Sequence, residues 1–172
     1  MLSKVFGLIS TLIYKLRFGR TIHFEGIPSL ITHMKIYIKS GKINIGKNFS
    51  LKSGVYIAAV NGGKINIGDN VSLNRNCIFV SHDSITVGNN VRIGPNVIVY
   101  DHDHKFDKTG VVDGYKTKPI VIEDNCWIGA GVILLKGSVI GAGSVIGAGC
   151  TIKKNSLVIS NRELKIVDIS SG

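Results

Sequence analysis

Aliphatic residues recur at every sixth position from Ile122 to Val158 without interruption. The series is Ile122, Ile128, Leu134, Ile140, Ile146, Ile152 and Val158. A period of six fits neither the 3.6-residue period of a helix nor the two-residue alternation of a single strand. It is typical of a parallel β-helix, in which short strands stack coil upon coil around one shared core.

The same register continues towards the N-terminus, with anchors at Ile45, Leu51, Ile67, Leu73, Val87, Ile93 and Val99. Except after Val99, where the longest interruption begins, the fourth residue after each anchor from Ile45 to Ile152 is small or apolar, which predicts an inward position in a narrow prism. The third residue after the same anchors is Asn or Gly, the two residues that best tolerate a left-handed backbone. Each of these residues therefore predicts a corner.

The repeat is interrupted at residues 58–64, 81–86 and 101–119. The longest interruption, DHDHKFDKTGVVDGYKTKP, is polar and charged. An extruded loop of this kind is where a repeat protein usually carries its specific chemistry. His102 and His104 stand at its start.

A third histidine, His82, lies one coil earlier. His82 follows the core residue Phe79 by three positions, just as His102 follows Val99. We therefore expect the two imidazoles to lie one strand spacing apart on adjacent coils.

The three cysteines, Cys77, Cys126 and Cys150, all occupy the small inward position. This placement predicts buried reduced thiols rather than a disulfide, a metal site or a nucleophile. No signal-peptide cleavage pattern follows the N-terminal apolar stretch, so we expect a cytoplasmic protein.

Positive charge is concentrated near the N-terminus of a chain whose formal net charge is +10. Residues 1–52 contain nine Lys or Arg residues and one acidic residue, Glu25. Apolar residues recur there at helical spacing: Leu2, Val5, Phe6, Ile9, Leu12, Ile13 and Leu16. The pattern predicts an amphipathic helix that is too short between Lys4 and Lys15 to cross a bilayer.

Two compatible roles are open for residues 1–20. The helix can cap the open end of the β-helix, which a solenoid needs. It can also adsorb to an anionic membrane surface, which would place the protein peripherally on the inner face of the cell membrane. Nucleic-acid binding is not expected, because no aromatic residues are interleaved with the basic ones to stack on bases.

From about Lys42 to Lys154 the chain resembles the hexapeptide-repeat acetyltransferases, which are left-handed β-helix enzymes. The repeat, the extruded loop with its histidines and the segment NCWIGAGVILLKGSVIGAGSVIGAGCTIKK carry the resemblance. Within that family the chain is most similar to galactoside and maltose O-acetyltransferases and to O-acetyltransferases of lipopolysaccharide and capsule synthesis. The resemblance implies an all-β, left-handed parallel β-helix.

Three segments follow from this resemblance. Residues 1–40 contain the short amphipathic helix and the segment leading into the solenoid. Residues 41–160 form the β-helix acetyltransferase domain with the extruded loop 101–119, and residues 161–172 form a C-terminal tail.

The resemblance also implies catalytic and acceptor-binding residues. Counting without gaps from the NCIFV segment through VRIGPNVIVY places the family's catalytic histidine on His104. His102 is the alternative if the corner at the start of the loop shifts by two residues. The acceptor-contacting asparagine of the family falls on Asn74. An acceptor-binding aspartate of the galactoside enzymes falls on His82, which favours a different acceptor here.

The expected chemistry needs one general base. A sugar hydroxyl is a weak nucleophile and a thioester is an activated acyl donor, so a histidine can promote transfer without an acyl-enzyme. A carboxylate at the other ring nitrogen would fix the histidine tautomer, and Asp101 and Asp103 are both candidates. Asp103 is also placed among the acceptor-binding residues.

On the coenzyme side, the resemblance extends to Trp127, Ala130, Ala148, Lys153 and Lys154. In the family these positions line a groove for the pantetheine arm and the phosphates of acetyl-CoA, and no metal is expected. The family is trimeric, with active sites between neighbouring subunits. We therefore expect a homotrimer that acetylates a sugar or glycan acceptor, in cell-surface polysaccharide biosynthesis.

Three other functions stay open from the sequence. Related β-helix enzymes acetylate amino sugars at nitrogen. His82, His102 and His104 could bind zinc, as three histidines do in the β-helix carbonic anhydrases. A non-catalytic β-helix scaffold is the third alternative. The tail lacks the usual Gly-Asn-Pro-Ala turn, which leaves contacts to the adenine end of CoA open.

Overall fold

The computed structural model describes residues 2–30, 35–153, 156–158 and 166–168. The chain forms a left-handed parallel β-helix with three faces, two of them six-stranded sheets and one an eight-stranded sheet. The fold predicted from the six-residue period is therefore confirmed.

The strands of each face come from consecutive coils of the solenoid, except the last strand of sheet A (Ile166–Asp168), which pairs antiparallel with the strand before it. Sheet A contains β1 (Ile22–Phe24), β4 (Lys42–Ile45), β7 (Lys64–Ile67), β10 (Ser84–Val87), β15 (Ile120–Ile122), β18 (Val139–Ile140), β21 (Ser156–Val158) and β22 (Ile166–Asp168). Sheet B contains β2 (Ser29–Leu30), β5 (Ser50–Leu51), β8 (Ser72–Leu73), β11 (Arg92–Ile93), β16 (Trp127–Ile128) and β19 (Val145–Ile146). Sheet C contains β3 (Lys35–Lys39), β6 (Tyr56–Val60), β9 (Ile78–Ser81), β12 (Ile98–Tyr100), β17 (Ile133–Leu135) and β20 (Thr151–Ile152).

The corners of the prism lie at the predicted Asn and Gly residues. A left-handed backbone is found at Asn48, Gly54, Asn70, Asn76, Asn90, Asn96, Asn125, Gly131, Gly137, Gly143 and Gly149. Asn155, the last predicted corner, lies outside the described residues. Side-chain amides of stacked corner residues also hydrogen-bond from coil to coil, as from Asn70 Nδ2 to Asn90 Oδ1 at 3.0 Å.

The core is the stack of anchors and inward residues that the repeat predicts. The anchors from Ile45 to Ile152 are buried, and Phe49 and Phe79 are the bulkiest side chains that are fully enclosed. Cys77 and Cys126 are buried, as predicted, whereas Cys150 is only partly buried, and all three are free thiols. Burial raises the pKa of both Cys77 and Cys126, so these two thiols stay protonated.

The interruption at 101–119 is a β-hairpin. β13 (His102–Asp107) and β14 (Gly110–Thr117) are antiparallel, with a register shift between His104 and Lys105. The hairpin begins directly after Asp101, at the end of the sheet C strand β12. It therefore projects from the corner between sheets C and A.

Helix α1 (Leu2–Phe18) and a 3₁₀ turn (Gly19–Thr21) precede the first coil. The helix packs on β1 and β2, and the Tyr14 ring stacks on Phe24 with 6.4 Å between centroids. The side that packs consists of Gly7, Ser10, Thr11 and Tyr14, which are buried. No helix within the described residues is long and apolar enough to span a bilayer.

Candidate active site

A buried carboxylate at the base of the hairpin organises a cluster of histidines. Asp101 is 0% exposed. Its Oδ2 accepts hydrogen bonds from the Ser81 hydroxyl at 2.7 Å and the Asp83 backbone N–H at 2.9 Å. Its Oδ1 accepts from the His82 backbone N–H at 2.8 Å and lies 3.1 Å from His102 Nδ1. Burial by itself would raise the pKa of Asp101, but these hydrogen bonds outweigh burial and hold the pKa below its ordinary value.

The carboxylate fixes the tautomer of His102. An ionised carboxylate can only accept hydrogen bonds, so His102 Nδ1 must carry the proton that points at Asp101. Nε2 of the neutral ring is then the unprotonated nitrogen. The His102 side chain is 13% exposed, so part of the ring that carries this proton acceptor reaches solvent.

His82 lies directly against His102. The two rings stack with 3.7 Å between centroids and 19° between planes, so the predicted stacking is confirmed. Nδ1 of His82 lies 3.1 Å from the amide nitrogen of Asn61, which can only donate. The proton of neutral His82 is therefore on Nε2. Burial, followed by the neighbouring His102, lowers the pKa of His82 and keeps the ring neutral.

This pKa shift predicts how stability depends on pH. Because folding lowers the pKa of His82, the unfolded chain binds the proton more readily, and acidification favours unfolding. We expect stability to fall as pH drops below about 6.5, the ordinary pKa of histidine. Thermal unfolding midpoints at pH 7.5, 6.5 and 5.5 measure the effect, and His82→Asn should flatten this series. An equally steep decline in the variant would contradict the assignment.

Tyr115 closes the cluster from the return strand of the hairpin. Its ring lies 4.2 Å from the His82 centroid and 4.8 Å from that of His104. His104, the first choice of the sequence register, lies on the exposed part of the hairpin. Tyr115 and Asn61 carry no repeat signal that would mark them as site residues, although both lie in interruptions of the repeat.

Asp103 faces a different neighbour from Asp101. Its half-exposed carboxylate forms an ion pair with Lys136, a residue just after β17 in the next coil. Of the two candidate aspartates, Asp101 is therefore the one that contacts a histidine ring nitrogen.

Asn74 lies at another corner of the prism. It follows β8 in sheet B, and its Oδ1 accepts a hydrogen bond from the Arg75 backbone N–H at 2.9 Å. His82 lies beyond the far end of β9, eight residues further along the chain, so at 3.3 Å per residue about 26 Å of extended chain separates the two. One chain alone does not bring Asn74 to the histidines.

The predicted coenzyme residues are likewise divided between two corners. Trp127 on β16 is 56% exposed, and Ala130 and Ala148 are exposed at the same corner in successive coils. The Gly149 N–H donates to the Ala130 carbonyl at 2.8 Å, which ties these coils together. Lys153 is exposed after β20, at the corner from which the hairpin projects. Lys154 lies outside the described residues.

The described residues contain no group of three His, Cys, Asp or Glu side chains placed to hold a metal ion. His82 and His102 stack face to face, and their Nδ1 atoms are engaged by Asn61 and Asp101.

Two family models match the repeats on either side of the hairpin. Residues 64–101 match the hexapeptide repeat of succinyl-transferase, and residues 119–154 match the bacterial transferase hexapeptide of six repeats. Both matched blocks are therefore hexapeptide repeats of the kind found in bacterial transferases. The hairpin with His102 and His104 stands between the two matched blocks. A search of curated proteins finds no match.

Solved structures of hexapeptide-repeat acyltransferases share the fold. A variant of AntD, an N-acyltransferase from Bacillus cereus, in complex with dTDP and coenzyme A, has a TM-score of 0.68 at 18% identity, covering 91% of this chain and 87% of AntD. The polysialic acid O-acetyltransferase OatWY has a TM-score of 0.53 at 15% identity, covering 86% and 88%. A hexapeptide-repeat acetyltransferase from Vibrio cholerae has a TM-score of 0.52 at 24% identity, covering 94% and 79%.

Proposed function

We propose that this acyltransferase moves an acetyl group from acetyl-CoA to a sugar hydroxyl, with His102 as the general base. The observation that carries the proposal is the Asp101–His102 pair, which holds one imidazole nitrogen unprotonated at the mouth of the hairpin. Among proteins of the same fold, AntD binds coenzyme A and OatWY is an O-acetyltransferase of polysialic acid.

The reaction needs no covalent enzyme intermediate. Nε2 of His102 takes the proton of the acceptor hydroxyl as its oxygen attacks the thioester carbonyl. The tetrahedral intermediate then expels CoA as the C–S bond breaks, and the imidazolium returns the proton to the leaving sulfur. Asp101 stabilises the imidazolium while it exists, because its buried carboxylate contacts Nδ1.

His82 and Asp103 serve the acceptor in this proposal. His82 presents its Nε2–H as a hydrogen-bond donor beside the base, and a donor suits the ring or hydroxyl oxygens of a sugar. The Tyr115 ring contacts His82 edge to face, with 71° between the ring planes. Asp103, held by Lys136, offers a carboxylate to acceptor hydroxyls next to the hairpin.

The complete site is shared between copies in a homotrimer. Asn74 and Trp127 are on sheet B or at its end, whereas the histidines are at the far end of sheet C. The site becomes complete when a neighbouring copy places its own Asn74 and Trp127 against the hairpin. In this arrangement Trp127, Ala130 and Ala148 line the arm of acetyl-CoA, and Lys153 and Lys154 meet its phosphates.

A direct assay tests the proposed reaction. Purified protein is mixed with acetyl-CoA and a panel of sugars, glycans and lipid-linked sugar precursors, and release of CoA thiol is followed. Mild hydroxylamine cleaves O-acetyl esters but leaves N-acetyl amides, so treatment of the product distinguishes the sugar hydroxyl from an amino-sugar acceptor. Absence of both CoA binding and thiol release across the panel would favour a non-catalytic scaffold.

Removal of the two lysines tests the coenzyme assignment. Lys153→Ala combined with Lys154→Ala should raise the KM for acetyl-CoA by roughly tenfold, because two charge-assisted contacts to phosphate are lost. The KM for an acetylated pantetheine donor without the nucleotide should change much less. Steady-state kinetics with both donors measure this, and equal losses would show that the pair does not face the nucleotide.

The acceptor class follows from the same geometry. The stacked imidazole, the tyrosine and the carboxylate at the hairpin are groups that hydrogen-bond to hydroxyls and pack on sugar rings. A glycan or its lipid-linked precursor in cell-surface polysaccharide biosynthesis is the acceptor that this set would bind.

A further inference from the structure

Helix α1 packs against the solenoid through its small and polar residues. The pattern of hydrophobic positions would predict that this side of the helix faces solvent. Its buried side consists of a glycine, two small hydroxyl residues and Tyr14. A Cβ on Gly7 would clash with the Pro28 carbonyl, so the close approach requires glycine. Thr11 donates its hydroxyl proton to the Gly7 carbonyl at 2.8 Å, which satisfies its polar group inside the contact.

The opposite side of the helix exposes aliphatic side chains to solvent. Six residues contribute to it, each 47–79% exposed: Val5, Leu8, Ile9, Leu12, Ile13 and Leu16. At about 100° per residue they cover roughly 140° of the helix circumference. A contiguous apolar surface of this kind on a folded protein marks an interaction site.

Basic residues border this aliphatic face on both sides. Lys4 and Lys15 lie along one edge and Arg17 along the other when the helix is viewed down its axis. Arg20 follows in the 3₁₀ turn, and the segment from Leu2 to Thr21 has no acidic residue. Long basic side chains beside an apolar face reach up to anionic headgroups while the apolar residues enter the acyl region.

We propose that helix α1 holds the protein on the surface of an anionic lipid bilayer. A second copy of the same helix is a poorer occupant, because face-to-face pairing would bring Lys4, Lys15 and Arg17 against their own equivalents. A bilayer rich in anionic lipid supplies both an apolar layer and the opposite charge. The inference stands on α1 alone and does not depend on the proposed reaction.

Sedimentation with vesicles tests the proposal on the full chain. The protein should bind vesicles of phosphatidylcholine with 30 mol% phosphatidylglycerol, and it should bind pure phosphatidylcholine much more weakly. Raising the salt from about 0.1 M to 0.5 M should weaken binding, since charge attraction is screened. Leu12→Asp with Leu16→Asp should reduce the partition coefficient by at least about a hundredfold.

A charge variant and two matched controls show which surface of the protein binds the vesicles. Lys15→Gln with Arg17→Gln should weaken binding by about thirtyfold, whereas Lys35→Gln with Lys39→Gln removes the same charge from β3 and should have little effect. Val111→Asp places a new charge on an exposed apolar residue of the hairpin and should leave vesicle binding unchanged. The variants change exposed side chains, so each should keep the thermal unfolding midpoint of the parent.

Three outcomes would overturn the proposal. The first is no binding to anionic vesicles. The second is equal binding by the parent and the Leu12→Asp/Leu16→Asp variant, which would assign adsorption to another basic surface. The third is a lower oligomeric mass for that variant, which would show that another copy of the chain covers the face. Deletion of residues 1–20 is a poorer test, because it also uncovers Phe24.

Discussion

Turnover of the His102→Ala variant is expected to fall by about two to four decades, with folding and CoA affinity nearly unchanged. The substitution removes the Nε2 atom that takes the acceptor proton. Asp101 keeps its three hydrogen bonds from Ser81, His82 and Asp83, so its buried carboxylate still has hydrogen-bond partners in the variant. Steady-state thiol release, CoA titration calorimetry and circular dichroism measure the three quantities.

His104→Ala is the matched control on the same strand. His104 is exposed, and its ring contacts Tyr115 at 4.8 Å rather than a carboxylate. Without an orienting acceptor at one nitrogen, its tautomer and direction are not fixed, and we expect less than about a tenfold loss. A large loss for His104→Ala with a small loss for His102→Ala would instead support the ungapped sequence register and assign His102 a structural role.

The regular part of the fold was predictable because each repeat position has one local physical requirement. An anchor must be aliphatic and a corner must adopt a left-handed backbone, and both requirements are visible in single residues. The stacking of His82 on His102 followed from the same register. The corners at Asn76 and Asn96 and the buried anchors Leu73 and Ile93 are where this reasoning placed them.

Other features depend on contacts between distant segments, which a repeat period does not encode. Asp101 collects hydrogen bonds from the coil before it, and Tyr115 reaches His82 only because residues 101–119 fold back as a hairpin. The sequence therefore offered Asp101 and Asp103 without a means of choosing between them, and its register favoured His104 over His102. Contacts across coils favour Asp101 and His102.

The orientation of helix α1 is a second feature that the pattern of hydrophobic positions does not predict. Its apolar stripe predicts which residues cluster but not whether they face the protein or the solvent. The small side with Gly7 packs on the first coil because a close approach to Pro28 is possible only there. Capping is thus carried out by Tyr14 and the small residues, which leaves the aliphatic face exposed for another partner.

Activity should reappear when two inactive variants are combined in one trimer. His102→Ala removes the base, and Asn74→Ala removes a side chain that lies at another corner of the prism, about 26 Å along the chain from His82. If each site takes its base from one subunit and Asn74 from the next, every mixed trimer contains a single site with both residues intact. Hybrid trimers should therefore show about one third of the parental turnover, although each variant alone is nearly inactive.

The experiment uses two affinity tags. The variants are co-expressed with different tags, and consecutive purification on both tags isolates mixed trimers. The control pairs His102→Ala with the double variant His102→Ala/Asn74→Ala, a mixture in which no subunit supplies a base, and it should stay inactive. Hybrids no more active than the separate variants would contradict a shared site, as would a monomeric mass for the parent protein. Recovery to about one third would assign the base and the asparagine to different subunits, because a site confined to one chain cannot be repaired by its neighbour.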